Sequence, residues 1–275
     1  MERLSVVIIT FNEEQNIERC LRSVRWADEV IVVDSFSSDR TTELAKNHAD
    51  TIIRHVYDGD IPQRERGFAA ASGSWLMYVD ADEEVSAELQ REIRSVLGAP
   101  DAVVGYELPR KSFIFGSWIG HGGWYPDYTL RLFRRDRYRA EPAEVHGGFT
   151  ADGPRGRLIG FLYHYTYESI GHYLAKMNDY TSLQVSNKLR EGATGPADSV
   201  DPGRLVLSPC SHFLRKYFSQ RGYRDAFHGF LLAVLGSIYT LALYAKLWEY
   251  QLRDREGKGV RPPITNLELQ RLKRP

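Results

Sequence analysis

The chain has 275 residues, with 36 Lys and Arg balancing 36 Asp and Glu, 43% hydrophobic residues and 12% aromatics. This is a globular composition, long enough for a full core, and it excludes disordered, collagenous and low-complexity classes. Zero formal net charge argues against a nucleic-acid binder, which normally carries a basic excess. Cys20 and Cys210 are far apart and lack a CxxC partner, so no disulfide framework or zinc site is expected and a reducing cytosol suits the chain. No signal sequence is expected either, because the apolar stretch Leu4–Thr10 is too short for one.

In chain order, Leu4–Thr10 is a short β-branched run of the kind that forms a buried parallel strand. Ile17, Leu21 and Val24 recur at helical spacing within Glu13–Arg25. Val30–Asp34 reads as a second strand, Ser37 or Ser38 as the cap of a helix to about Asn47, and Thr51–Ile53 as a third strand. Gln63–Ala71 is helical, Trp75–Asp80 is a fourth strand, and Ser86 caps a helix to about Leu97. Such alternation predicts an α/β fold with a parallel sheet covered on both faces, whose ligands sit beyond the carboxyl ends of the strands. Asp34, Asp80 and Asp82 fall at those ends. From Val103 to Tyr165, short strands mixed with Gly, Trp, Tyr and His predict a mixed sheet carrying an acceptor site. Helices follow at Glu168–Leu189 and Leu205–Gln220, with a linker at Gly192–Gly203. Phe227–Ala245 has no Lys, Arg, Asp or Glu but is flanked by Arg221, Arg224, Lys246 and Arg253. A core helix, an interfacial helix and a membrane span all fit such a run.

The strongest chemical signal is Val79-Asp80-Ala81-Asp82-Glu83. In an extended segment residues two apart point the same way, so Asp80 and Asp82 can approach one Mg²⁺ or Mn²⁺ together, with phosphate oxygens and water completing the shell. Asp34 and the following Ser35–Thr41 read either as a turn with a helix cap or as an acid set against a ribose or base. Thr10, Asn12 and Glu13, at the end of the first strand, read as an N-cap or as a further nucleoside contact. Trp118, Trp124 and Tyr125, set among glycines, are core aromatics or a platform for sugar rings at an acceptor site. His146 is a structural histidine, a third metal ligand or an acceptor contact, with His164 a weaker candidate for the same role.

Taken together, Ile8–Glu14, Val32–Asp39 and Asp80-Ala81-Asp82 resemble the nucleotide-binding half of glycosyltransferase family 2. The resemblance continues through Gly122–Asp127, Leu130–Arg134 and Lys246–Glu249, which are similar to the branch that glucosylates heptose in the lipopolysaccharide core. It implies a GT-A (Rossmann-like) nucleotide-diphospho-sugar transferase fold with a C-terminal helical extension. It also implies an inverting, metal-dependent hexosyltransferase, a UDP-sugar (UDP-glucose) as substrate, and a lipid-linked saccharide as acceptor, an inner-core heptose. Thr10, Asn12, Glu13, Asp34, Ser35, Arg64 and Asp80 would contact the nucleotide sugar, with Arg64 near the pyrophosphate. Asp127 matches the aspartate of the family's Glu-Asp motif, with Pro126 in place of the Glu, and is the candidate base that inversion requires. Glu144 is the alternative base, and Gly147 stands where relatives tend to carry Glu after the histidine.

The expected organisation is a catalytic domain over 1–203 (nucleotide half 1–100, acceptor half 101–203), a helical, apolar extension over 204–256 that touches a membrane, and a polar tail over 257–275. The enzyme is expected in the cytoplasm, peripheral on the inner face of a bacterial inner membrane. No GxGxxG follows the first strand and no GxxxxGK[ST], GxSxG or HExxH occurs, which argues against dinucleotide oxidoreductases, P-loop NTPases, esterases and zinc proteases. The remaining alternatives are a nucleotidyltransferase and a catalytically inactive GT-A module that binds a sugar nucleotide or a partner.

Overall fold

The apolar run of β1 (Leu4–Thr10) becomes the central strand of a parallel sheet. It pairs in parallel with β2 (Glu29–Asp34) on one side and β4 (Trp75–Asp80) on the other, and β2 pairs in parallel with β3 (Thr51–Arg54). The computed structural model describes residues 2–98, 102–141, 148–190 and 200–255. Three helices complete this half: α1 (Ile17–Val24), α2 (Thr41–Ala45) and α3 (Asp60–Ala70). In α1 the buried residues are Ile17, Cys20, Leu21 and Val24, the i, i+3, i+4, i+7 stripe that a helix lays on a sheet. On α3, Gly67 allows the closest approach to the sheet, since a Cβ there would fall 2.2 Å from Val7 Cγ1.

After β4 come β5 (Glu83–Val85) and α4 (Ala87–Leu97), the latter capped by Ser86 Oγ, which accepts from Leu89 N–H. Seven strands follow, most of them pairing antiparallel: β6 (Gly105–Ile114), β7 (Ser117–Trp118), β8 (Asp127–Arg134), β9 (Tyr138–Glu141), β10 (Gly148–Ala151), β11 (Arg155–Arg157), which is parallel to β6, and β12 (Leu162–Tyr167). The main sheet runs β3-β2-β1-β4-β8-β6-β12-β5, while β9 and β10 form a separate pair. β8 marks the change from parallel to mixed, antiparallel both to β4 (Met77 opposite Leu132) and to β6 (Arg110 opposite Asp127). One face of the sheet buries Val6, Ile8, Leu21, Met77 and Leu89, and the other buries Val7, Ile31, Leu76 and Phe133. On the second face Phe68 meets Tyr78, Phe133, Tyr138 and Phe149 edge-on at 5.2–6.4 Å between centroids.

Two compact units are present, one drawn from Met1–Ser112 and Pro126–Thr166, the other from Phe113–Tyr125 and Tyr167 onward. The second unit contains α5 (Ile170–Arg190), α6 (Pro202–Leu214), a π-helical turn (Arg215–Ser219), a 3-10 turn (Gly222–Asp225) and α7 (Ala226–Arg255). α6 and α7 run antiparallel: Arg204 lies over the Tyr244 ring and His212 Nδ1 meets Thr240 Oγ1. Lys246 fastens α7 to α5 through Asn178 O, Thr181 Oγ1 and Ser182 Oγ. The charge-free run Phe227–Ala245 lies within a helical stretch of 32 residues, Gly222–Arg253, long and apolar enough to cross a membrane, and only 22% of its most apolar window is buried.

Candidate active site

Three predicted residues meet at one edge of the sheet because parallel pairing aligns the strand ends. Thr10 stands opposite Asp34, and Ile9 opposite Asp80. The loops beyond β1 and β2 are tied together by side chains that accept backbone protons. Asn12 N–H donates to Ser37 Oγ, Glu13 N–H to Thr41 Oγ1, Glu14 N–H to Asp39, and Ser38 N–H to Asn12 Oδ1, all within 2.8–3.1 Å. Asn12 takes a left-handed conformation (φ 55°), which Asn tolerates better than most residues. The fully buried Asp34 carboxylate accepts Ser37 N–H through both oxygens and faces Arg54 Nε at 3.4 Å. Ser35 Oγ accepts from the buried Gln63 side chain. The Thr10 hydroxyl and Gln63 Oε1 are buried without a hydrogen-bond partner among the described residues.

Beside this shelf lies a buried ion network. The Asp80 carboxylate accepts from Arg64 at 2.6 Å and from Arg131 at 3.1 Å. Arg131 also donates to Glu83 at 2.8 Å, and Glu83 takes the Asp80 N–H. The guanidiniums of Arg64 and Arg131 both lie over the Tyr78 ring, at 4.7 and 4.4 Å. Burial alone would push the Asp80 carboxyl up, but the two arginines outweigh it and hold it far below the usual carboxylate range. For Glu83 burial prevails, so its carboxyl is raised despite Arg131. Arg64 Nε and Arg131 Nε and Nη1, three buried nitrogens, have no hydrogen-bond partner among the described residues.

Asp82 takes a different partner from Asp80. Its Oδ2 lies 3.4 Å from His164 Nε2, across the antiparallel pairing of β5 with β12. Burial opposes protonation of His164, but its bond to Asp82 and the nearby acids win and raise it. Asp82 and His164 form an oxygen-nitrogen donor pair, and His164 Nδ1 is buried without a partner among the described residues. No group of three or more His, Cys, Asp or Glu able to hold a metal occurs among the described residues. The pair nonetheless fits Mg²⁺ or Mn²⁺ bound chiefly through substrate phosphates and water, which needs only one or two protein ligands.

Asp127 opens β8 opposite Arg110 of β6. Arg110 donates through Nε and Nη2 to the same oxygen, Oδ2, and this leaves Oδ1 without a hydrogen bond from the described residues. The other nitrogen of Arg110 lies 3.7 Å from Glu83 Oε1, so the carboxylate is held from the ion network. In the second unit, Trp118 is exposed and meets Tyr125 edge-on at 5.9 Å, whereas Trp124 packs against Ile114, Ile119 and Leu232. Glu144 and His146 lie outside the described residues.

Sequence reasoning gave no role to Arg110, Arg131 or Glu83. The signal available was a lone charge inside the apolar run Leu130-Arg131-Leu132-Phe133, where an unpaired guanidinium would be costly to bury. Arg66, on the same helix as Arg64, forks onto Asp58 away from the network.

A parallel nucleotide-type half with acids at its strand ends, continued by a mixed half through an antiparallel strand, is the GT-A form of the Rossmann-like fold. The chain belongs to glycosyl transferase family 2, whose model matches residues 5–151. It is 28% identical to the lipopolysaccharide core biosynthesis glycosyltransferase LpsC of Rhizobium meliloti, over 90% of this chain and 92% of that one. It is 29% identical to an uncharacterized glycosyltransferase of Rickettsia typhi, over 93% and 90% of the two chains. Among solved structures, it is similar to S. aureus TarS 1–349 in complex with UDP (TM-score 0.45, 16% identity, 94% of this chain and 93% of that one). It is also similar to the mannosyltransferase PcManGT of Pyrobaculum calidifontis in complex with GDP-Man and Mn²⁺ (TM-score 0.46, 16% identity, 95% and 77%). Family membership makes the chain a glycosyltransferase and displaces the nucleotidyltransferase alternative.

Proposed function

We propose that the protein is an inverting, metal-dependent hexosyltransferase that moves glucose from UDP-glucose to a heptose hydroxyl of a lipid-linked lipopolysaccharide inner core. The observation that carries the reading is Asp127, one of whose oxygens is anchored by Arg110 while the other is free to accept a proton. The similarity to an LPS core glycosyltransferase supports the acceptor class. In this reading the shelf formed by Thr10, Asn12, Glu13, Asp34 and Ser35 receives the nucleoside. Arg64, with Arg131 beside it on Asp80, would stabilise the charge that the pyrophosphate gains as the sugar leaves. Asp82 and His164 would hold Mg²⁺ or Mn²⁺, which when bound supplies electrophilic help to the departing diphosphate. Asp127 Oδ1 takes the proton of the attacking hydroxyl on the face opposite the leaving group.

Calorimetric titration with UDP, with and without Mn²⁺, tests this. Wild type is expected to bind UDP only with the metal, and Asp82→Asn to weaken that binding by about tenfold or more, the worth of one charge-assisted contact. UDP binding indifferent to both Mn²⁺ and Asp82 would sink the metal assignment. Turnover of UDP-glucose on a heptose-containing acceptor then decides the donor sugar.

The α6–α7 pair supports residence at the cytoplasmic face of a membrane. Val206, Leu207, Leu214 and Phe218 on one arm and Phe227, Ile238 and Leu241 on the other are exposed, while Arg215, Arg221 and Arg224 lie at the turn between them. Apolar side chains beside clustered bases suit an anionic headgroup layer. Leu207→Asp and Phe227→Asp, both at sites 68% exposed, are expected to fold normally. Together they should lower partitioning onto phosphatidylglycerol-containing vesicles by roughly tenfold or more, as each removes the burial of a large side chain. Unchanged sedimentation with vesicles would refute the membrane assignment.

A further inference from the structure

The second unit carries a partly open cavity of about 220 Å³ that the reaction outlined above does not use. Its wall is aromatic, from Trp124, Tyr167, Tyr173 and Tyr239, and Lys216, His212 and the Asp225-paired His121 also line it. The volume is below the roughly 300 Å³ of sites for drug-sized ligands, so it suits a single sugar ring better than an oligosaccharide. α7 borders it with Gly229 and Gly236, where a Cβ would fall 1.8 Å from Gly222 O and 2.6 Å from His212 Nε2. Gly122 and Gly123 are both left-handed (φ 65° and 78°), and the turn they make presents Gly122 O to Lys216 Nζ at 2.9 Å.

The charge balance in this cavity is incomplete. Lys216 uses one of its three protons on Gly122 O and has no ion pair among the described residues. His212 bonds Thr240 Oγ1 through Nδ1. The carboxylate of Asp225 is committed to His121, one oxygen to its backbone N–H and the other to its ring, both at 2.8 Å. Tyr173, buried against Tyr167, has a hydroxyl without a hydrogen-bond partner among the described residues. Burial first and then Arg215 push the Lys216 ammonium below its ordinary value. Burial, followed by Lys216 and Arg215, does the same to His212. The unspent Lys216 protons, the His212 ring and an unused hydroxyl around an aromatic-walled space are complementary to an anion carried on a ring.

We propose that this cavity binds an anionic saccharide, with a phosphate or carboxylate on Lys216, His212 and the Tyr173 hydroxyl and the sugar ring against Trp124. The inference rests on the glycosyl-transfer reading for its biological sense, in which the bound sugar is an acidic residue of the acceptor.

The test uses the full chain with UDP and Mn²⁺ already saturating the nucleotide site. Glucose 6-phosphate, glucuronate, glucose and inorganic phosphate are titrated separately by calorimetry and ligand-observed NMR. The anionic sugars are expected to bind about tenfold or more tighter than glucose, and glucose 6-phosphate tighter than inorganic phosphate. Lys216→Met should erase the advantage over glucose, while UDP binding stays at the wild-type level and reports an intact first unit. Should Lys216→Met fail to fold, Tyr173→Phe removes one hydroxyl and should weaken glucose 6-phosphate by about two- to tenfold. Anionic sugars that bind no better than glucose, or equally well to both variants, would overturn the proposal, and parity with inorganic phosphate would overturn its saccharide part. Lys216-dependent sugar-phosphate binding in a protein that transfers no sugar would leave the cavity assigned and the catalytic reading refuted.

Discussion

Asp127→Asn is expected to lower the turnover number by about 10²–10⁴-fold while UDP binding and thermal stability stay near wild type, because a positioned base contributes on that order. The substitution is nearly isosteric and keeps an oxygen to accept from Arg110, so the cross-strand contact between β6 and β8 survives. The side chain is 37% exposed, so its pair with Arg110 adds little to folding and the loss should fall on the chemical step. Single-turnover kinetics with saturating UDP-sugar and acceptor would read that step directly. A variant that transfers sugar at the wild-type rate would refute Asp127 as the base and turn attention to Glu144.

Arg131→Met is expected to have the largest effect on stability. Its side chain is 3% exposed and touches two acids, one of them, Glu83, with no exposed side-chain surface at all. Removing one partner of a buried ion pair strands the other, at a cost of about 3–5 kcal/mol. For a chain of this size that corresponds to a melting point lower by roughly 6–20 °C. Adding Glu83→Gln to Arg131→Met should recover part of the loss, since the amide needs no counter-charge. Calorimetric melting of the two variants is the measurement, and a single mutant that melts with wild type would mean that the network adds nothing to the fold.

Much of the first half was legible because its signals are local. The β-branched run of β1, the Ile17, Leu21 and Val24 stripe of α1 and the Ser86 cap each depend on residues within one or two turns, and the structure has all three. Asp34, Asp80 and Asp82 were legible as strand-end acids for the same reason. What those acids touch was not legible. Asp80 meets Arg131 from 51 residues away through the antiparallel pairing of β4 with β8, and Asp82 meets His164 through β5 and β12. Strand partners are set by the whole sheet, and periodicity carries no information about which strand lies next to which. The run Phe227–Ala245 shows the same limit, because an apolar stretch looks alike whether protein or lipid covers it. Its exposed Phe227, Ile238 and Leu241 are visible only once α6 and α7 are paired.

The ties between the loops after β1 and β2 have a consequence for how a ligand would be met. Backbone N–H groups of Asn12, Glu13, Glu14 and Ser38 are each held by a side chain from the opposite loop, so each loop is the template for the other. Their ordering is completed when the chain folds, so under the proposed reading little of that conformational entropy is left to be lost on nucleotide binding. The shelf therefore behaves as a preformed mould rather than as a flexible flap.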